Sequence, residues 1–201
     1  DDVDRTFTML KNMYEDNDVA IDRINFGKAR AFDILIGDWG RHEDNWKWAF
    51  YEKEKGGIYR PIPRDRDHAF SKWNGILPFL ADRRWARPNI ENFDARFKDI
   101  KSLTWPARHL DRLLLTELDR NDWQKIADEL RADIGEPEID SAIRSFPREI
   151  IPLSGEEIGN KLKSRIQNLP QAIEDYYHLL TKQVDVVASN KHELIEGERR
   201  N

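Results

Sequence analysis

Two polar clusters on either side of a short aromatic run are what most constrains the fold of this chain. The first cluster, GDWGRHEDNW, begins at Gly37, and the second, PIPRDRDHAF, begins at Pro61. Between them, WKWAFY has aromatic residues at alternating positions, EKEKGG is typical of a turn, and IYRPI predicts a second strand, which its prolines confine to an edge or to its end. Antiparallel pairing brings the outer ends of two such strands together. The sequence therefore predicts that Asn45 and Asp65 are neighbours in space.

Length and composition favour one folded domain. The chain has 201 residues, of which 39% are hydrophobic, and this is enough to build a core. The formal net charge of −5 makes a nucleic-acid partner unexpected. No apolar run approaches the roughly 20 residues that cross a bilayer, so we expect no transmembrane segment. The absence of cysteine excludes disulfides and leaves the compartment open, with the cytoplasm favoured.

Hydrophobic periodicity divides this single domain into four parts and makes it mainly α with a small β-hairpin. Residues 1–36 are predicted to be helical, with Gly37 ending the last of these helices. Residues 37–70 hold the polar clusters and the hairpin, residues 71–106 are irregular, and residues 107–201 form a helical subdomain.

Finer signals mark individual boundaries in the helical subdomain. Asn121 is predicted to open one helix, and SGEE, beginning at Ser154, matches a capping box that opens another. Pro170 is expected to break or kink that second helix. VDVV, beginning at Val184, is a candidate for a last short strand.

The neighbouring amide and carboxylate predict a magnesium site. Mg²⁺ in nucleotide-handling proteins takes hard oxygen ligands, commonly one or two carboxylates and an amide oxygen. Asn45 and Asp65 supply these ligands, and Asp67 is a plausible second carboxylate if its segment stays extended. The alternative is that Asn45 and Asp65 only cap turns, as these residue types often do.

The charged residues of the first cluster have two interpretations. Arg41 and His42 are placed to orient a phosphate or the metal ligands. Alternatively, they form a buried ion pair with Asp38 or Asp44.

LIGDWGRHEDNW followed by PIPRDRDHAF resembles the catalytic and metal-binding loops of atypical kinase-like families. These are the HipA-type kinases, the CotH-type kinases and the type II phosphatidylinositol 4-kinases. The resemblance covers roughly residues 29–70 and implies a protein-kinase-like C-terminal lobe. It places Asn45 and Asp65 on the positions that bind Mg²⁺ and ATP, and Arg41 and His42 on residues that shape the catalytic loop.

The chain departs from that resemblance in two respects. Gly40 stands where these families carry the aspartate that receives the acceptor proton, so only Asp38 or Asp44 is left to take that part. The families also place a β-rich lobe with a phosphate-covering loop ahead of the catalytic loop, and here no G-x-G-x-x-G or P-loop pattern occurs. We therefore expect an N-terminal lobe to precede this chain in a parent protein, and the isolated chain to be inactive.

Three functional hypotheses follow. The first is a phosphotransferase that uses Mg²⁺ and ATP and transfers phosphate to an unknown protein or lipid hydroxyl. The second is an inactive pseudokinase that serves as a binding scaffold. The third and weaker one is a metal-dependent phosphohydrolase, with a zinc site formed by side chains of both clusters: His42, Asp44, Asp65 and His68.

Several other residue groups are predicted to be structural. The tryptophans of the first cluster and first strand are expected in the core, as are Tyr176 and Tyr177. The basic segment ADRRWARP, beginning at Ala81, is expected to be a solvated loop, with a phosphate or nucleic-acid contact as the alternative reading.

Overall fold

A computed structural model describes residues 3–72 and 92–182 of the chain. The described part is mainly α with one small sheet, which confirms the predicted fold class at that level. Its strands are, in chain order, β1 (Val3–Arg5), β2 (Val19–Ile21), β3 (Trp46–Glu52) and β4 (Gly57–Pro63). Its α-helices are α1 (Thr6–Glu15), α2 (Arg23–Ile36), α3 (Ile100–Thr104), α4 (Arg108–Leu115), α5 (Arg120–Asp133), α6 (Glu136–Arg144) and α7 (Glu156–Leu180).

The predicted hairpin is present as β3 and β4, but it is part of a larger sheet. The strand order is β1-β3-β4-β2, with β1 antiparallel to β3 and β2 parallel to β4. The prediction that residues 1–36 are wholly helical is therefore wrong at two short places. Both strands form through pairing with residues about forty positions away, and this long-range pairing outweighs the local helical periodicity.

The two prolines of the second strand lie where they were expected, although β4 is not an edge strand over its full length. β2 pairs with β4 only from Gly57 to Tyr59. Pro61 and Pro63 pair with β3 on one side and lie beyond the end of β2 on the other. A proline lacks the N–H that a second neighbouring strand would need, so its position at a locally free edge costs no ladder hydrogen bond.

Helix α2 carries the first polar cluster at its C-terminal end and has a capping residue at each end. The Asp22 carboxylate accepts a hydrogen bond from the backbone N–H of Asn25 at 3.1 Å. Gly37 has φ +72° and its N–H bonds to the carbonyl of Ile34, which confirms that the glycine ends this helix. The direction in which the chain leaves α2 is thereby fixed.

Two boundary predictions in the helical subdomain are wrong, and of the break or kink expected at Pro170 only the break is excluded. Helix α5 is capped by Asp119, whose side chain pairs reciprocally with Asp122, and not by Asn121. Ser154 caps nothing, because it lies inside a π-helical turn, Ile151–Gly155, that runs directly into α7. Pro170 does not end α7, which continues through it to Leu180. Buried packing along that helix outweighs the single hydrogen bond lost at the proline.

The segment 71–106, predicted to be irregular, contains helix α3 and a 3₁₀ turn at Trp105–Ala107. The basic segment ADRRWARP and the strand predicted at VDVV lie outside the described residues.

One hydrophobic core joins the sheet to the helices. Trp46 and Trp48 of β3 are buried against Phe26 of α2, with the Phe26 and Trp46 rings edge-to-face at 4.7 Å. Trp123 and Tyr176 make a similar contact at 5.3 Å on the other side of α2. Trp46, Trp48 and Tyr176 are core residues, as predicted, whereas Trp39 and Tyr177 are only partly buried against the core. Among the described helices, none has both the length and the apolar character that crossing a bilayer requires.

Candidate functional site

The register of β3 and β4 brings the two polar clusters together. Trp46 pairs with Pro63, and just beyond this pair the N–H of Arg64 donates to the carbonyl of Asn45 at 2.8 Å. Asn45 and Asp65 therefore leave the hairpin from adjacent main-chain positions. The predicted proximity of the two segments is confirmed at the level of the backbone.

Asn45 is mostly buried and its side chain caps the loop that contains it. Its Oδ1 accepts a hydrogen bond from the N–H of His42 at 2.9 Å, and the His42 Nδ1 accepts one from the N–H of Asp44 at 3.3 Å. These reciprocal bonds hold the 3₁₀ turn Glu43–Asn45. An amide oxygen has two lone pairs, so this capping role leaves Asn45 able to accept a second partner.

The two aspartates of the second cluster lie at the surface. Asp65 has φ +55°, a left-handed conformation that aspartate tolerates better than most residues. It makes no hydrogen bond or ion pair with a described residue. The Asp67 carboxylate is 67% exposed and lies 2.6 Å from His68 Nδ1. Within residues 3–72 and 92–182, no three His, Cys, Asp or Glu side chains converge to hold a metal, so the four candidate zinc ligands form no such group.

Arg41 is buried and ties the two clusters to helix α2. Its Nε lies 3.0 Å from Asp33 Oδ2, and its Nη2 lies 3.1 Å from Asp38 Oδ2. Its Nη1 donates to the backbone carbonyls of Asn45 and Arg64, one in each cluster. The ion-pair interpretation with Asp38 is what the structure shows, whereas His42 and Asp44 are exposed and take no part in it.

Asp38 is buried and incompletely paired. Its Oδ1 accepts a hydrogen bond from the N–H of Gly40 at 3.2 Å, but its contact with Arg41 lacks hydrogen-bond alignment and is purely ionic. Burial and the nearby Asp33 carboxylate raise the pKa of Asp38, and Arg41 only partly opposes them. Asp38 thus has the character of a proton acceptor, but its carboxylate is closed off from solvent.

Asp33, at the centre of the buried charges, was not predicted. Its carboxylate binds Arg30 at 3.1 Å, Arg41 at 3.0 Å and Arg66 at 2.9 Å. Arg30 also makes a two-pronged bond to Asp111 at 2.8 and 2.9 Å. This set, which we call the buried charge network, holds three carboxylates and three guanidinium groups: Asp33, Asp38 and Asp111 with Arg30, Arg41 and Arg66.

The far end of the buried charge network reaches helix α7. The Tyr176 hydroxyl donates to Asp111 Oδ2 at 2.5 Å. Burial raises the pKa of Asp111, with Arg30 opposing, and burial also raises the pKa of Tyr176. The network therefore connects the loop that follows α2 to α2, α4 and α7. The sequence does contain a signal for this network, because Arg30 and Asp33 lie among the apolar residues of the buried face of α2.

Gly40 lies against an imidazole ring. A Cβ at this position would come within 2.7 Å of His68 Cγ and closer still to Nδ1. The His68 ring also packs edge-to-face on Trp39 at 4.2 Å. The space that a side chain at position 40 would need is therefore filled by His68, a role that the sequence did not indicate.

Comparison of the chain with protein-family models, with curated proteins and with solved structures gives no match.

Proposed function

We propose that this chain is the large helical lobe of an atypical kinase-like phosphotransferase. In this proposal Asn45 and Asp65 bind Mg²⁺ and, through it, the phosphates of ATP, and phosphate passes to a hydroxyl group of a protein or lipid. The observation that carries the proposal is the hairpin register, which puts an amide and a carboxylate on adjacent main-chain positions. The resemblance of both loops to those of kinase-like families supplies the reaction.

The few protein ligands available fit Mg²⁺ bound together with a nucleotide. Mg²⁺ usually keeps several waters and takes one or two carboxylates, the rest coming from substrate phosphates. Asp65 is exposed and has no hydrogen bond or ion pair among the described residues, and Asn45 retains a lone pair. Asp67 can release His68 and bind the metal instead. Arg41 would act indirectly, since it holds both loops through their carbonyl oxygens.

Two carboxylates are candidates for the proton-accepting role that Gly40, which has no side chain, cannot fill. Asp38 has a raised pKa, but it is enclosed by the buried charge network. Asp44 is exposed on the 3₁₀ turn beside Asn45, so it can reach an acceptor without any rearrangement of the core. In an active enzyme, Asp44 would orient the acceptor hydroxyl and His42 would fix the turn that carries it.

The second candidate function is a binding scaffold without turnover. The position of His68 favours it, because the ring fills the space beside Gly40 where a catalytic side chain would have to lie. Such a scaffold would still bind Mg²⁺ and ATP, while lacking the group that receives the acceptor proton.

Thermal unfolding with Mg²⁺ and ATP tests the proposal. A ligand that binds only the folded state stabilises it by about 2.7 kcal/mol at a hundred times its Kd, so we expect the Tm to rise with millimolar Mg²⁺ and ATP together. ATP without Mg²⁺ should have a smaller effect. Asp65→Asn should remove most of the increase, whereas Asp128→Asn, an exposed aspartate on α5, should not.

The absence of any Tm change in the wild-type chain would refute both kinase-like functions. Where the Tm does rise, radiolabelled ATP distinguishes between them. Transfer of label to a protein or lipid, with a parent N-terminal lobe supplied, supports the enzyme, and binding without transfer supports the scaffold.

A further inference from the structure

A groove of about 640 Å³ lies beside the loop that carries Asn45. Its walls come from the N-terminal end of α1, from the 3₁₀ turn with the start of β3, and from α4. The volume falls within the range of roughly 300–1,000 Å³ that small-molecule sites occupy. Twelve residues line it: Arg5, Thr6, Phe7, Leu10, Glu43, Asp44, Trp46, Lys47, Arg64, His109, Leu110 and Leu113.

Two like charges face each other across the sheet in this groove. Arg5 of β1 pairs directly with Lys47 of β3, so their side chains leave the same face of the sheet. Like charges in directly opposed positions destabilise a sheet unless something lies between them. Neither residue forms an ion pair with a described carboxylate, although Glu43 and Asp44 line the same groove.

A third cation completes the polar side. Arg64 is exposed at the end of β4 and its side chain also lacks an ion-pair partner within residues 3–72 and 92–182. The three cations outnumber the two carboxylates, Glu43 and Asp44, that line the same groove, so in a protein with a net charge of −5 this groove is a place for an anion.

The opposite side of the groove is apolar. Leu10 and Leu113 are partly buried against the core, and Phe7 is 80% exposed at the rim. The wall between the two sides is held in place, because Thr6 Oγ1 donates to the Glu43 carbonyl at 2.6 Å and accepts from Trp48 Nε1 at 3.1 Å. The groove is thus preformed, with three cations and two carboxylates on its polar side and hydrocarbon on the other side.

We propose that this groove binds a phosphate monoester whose ester group is apolar. The phosphate would lie between Arg5, Lys47 and Arg64, and the apolar group would cover Leu10 and Leu113. If the function proposed above holds, a ligand of this class carrying a free hydroxyl would be the phosphate acceptor, because Asp44 lies in the same groove. Binding itself does not depend on that function.

Isothermal titration of the 201-residue chain with hexyl phosphate tests the proposal. Inorganic phosphate supplies the charge alone and hexanol the apolar part alone, so each should bind about tenfold or more weakly than hexyl phosphate. Arg5→Gln and Lys47→Gln should each weaken hexyl phosphate binding about tenfold. The matched control is Lys11→Gln on α1, whose ammonium pairs with Glu15 and which does not line the groove.

Folding of the variants is checked without ligand, where Lys47→Gln should leave the Tm unchanged or higher because it removes a like-charge pair. A second titration, with phosphatidic acid vesicles, distinguishes a membrane lipid from a soluble ester as the ligand. Binding that depends on Lys47 in both titrations indicates a membrane lipid, and binding of hexyl phosphate alone indicates a soluble ester. Failure of hexyl phosphate to bind, or binding that neither variant weakens, would overturn the proposal.

The two proposals fail separately. If hexyl phosphate binds but the Tm does not respond to Mg²⁺ and ATP, the kinase-like function is refuted and the groove proposal stands. A Tm response without hexyl phosphate binding would refute the groove alone.

Discussion

The buried charge network and the open end of the hairpin are built from the same residue types in opposite surroundings. In the core, Asp33 is 0% exposed and contacts three arginines. Just after β4, Asp65 is exposed and forms no hydrogen bond or ion pair with a described residue. Arg41, the residue that touches both regions, lies only eight positions after Asp33 in the sequence.

This difference separates charges that hold the fold from charges that are open to a ligand. A buried carboxylate persists only when it is paired, because the cost of its desolvation is several kcal/mol. An exposed carboxylate in a left-handed turn contributes little to stability, so its position has to be explained by something other than packing. On this reasoning the network holds the loops in position, and the exposed carboxylates of the loops are the ones that a ligand can reach.

Asp33→Ala tests the structural half of the comparison and should have the largest effect. It leaves Arg30 and Arg41 buried with incomplete compensation, so we expect the free energy of unfolding to fall by about 3–5 kcal/mol. Urea denaturation followed by tryptophan fluorescence measures the loss. Glu117→Gln, which removes an exposed partner of Arg23, is the control and should cost less than about 1 kcal/mol. A similar cost for both variants would show that the network does not hold the fold.

Gly40→Ala tests the boundary between the two regions. The new methyl group collides with the His68 ring, so we expect a loss of about 1–3 kcal/mol in unfolding free energy. In a His68→Ala background most of that loss should disappear, because the ring is the obstacle. A double-mutant cycle measures this coupling, and strictly additive effects would contradict the assigned position of His68.

The same clash sharpens the functional test at this position. Gly40→Asp alone restores a carboxylate but has to displace His68 from Trp39 and Asp67. Gly40→Asp combined with His68→Ala provides the space, so any recovery of phosphate transfer should be greater in the double variant. Lack of activity in both would show that Gly40 is not the sole defect.

The hairpin, helix α2 and its terminal glycine could be predicted from sequence because their signals are local. Alternating aromatic residues mark β3, and Gly37 follows directly on an apolar helical stripe. Strands β1 and β2 could not be predicted in this way, since Val3 pairs with Ala49 and Val19 with Gly57. Three-residue strands carry too little periodicity to reveal such distant partners.

The candidate site, like the fold, could be predicted only where its signals are local. The proximity of the two loops follows from strand pairing. The central position of Asp33 in the buried charge network, in contrast, depends on tertiary contacts with Arg30, Arg41 and Arg66. A charged residue on a helix usually indicates the solvated face, and only its place among buried apolar neighbours argues otherwise. The side chains that bring the network together come from segments whose packing no local pattern encodes.

Asp38→Asn tests the incomplete pairing of the network through its pH dependence. Because the pKa of Asp38 is raised above its ordinary value of 3.8, the folded protein binds this proton more tightly than the unfolded chain does. Asp38 therefore makes the wild type lose stability as the pH rises from that value through the folded pKa. The variant lacks this contribution. Its free energy of unfolding relative to wild type should therefore rise as the pH increases from 3.8 to the folded pKa of Asp38, and should stay level at higher pH. Urea denaturation between pH 3.5 and pH 8 measures the difference. A relative stability that falls with rising pH would show that Arg41 outweighs burial.

Asp67→Asn should have the smallest effect and completes the comparison at the exposed end. Its carboxylate is 67% exposed and its ion-pair partner among the described residues is His68, so we expect a stability change of less than about 1 kcal/mol. As an assisting ligand, Asp67 should also contribute less than Asp65 to the Tm increase with Mg²⁺ and ATP. The measurement is that increase in Asp67→Asn against Asp65→Asn. If Asp67→Asn abolished the increase and Asp65→Asn retained it, the metal would be held by the Asp67 and His68 side of the loop. The pairing of Asn45 with Asp65 would then be a consequence of the hairpin alone.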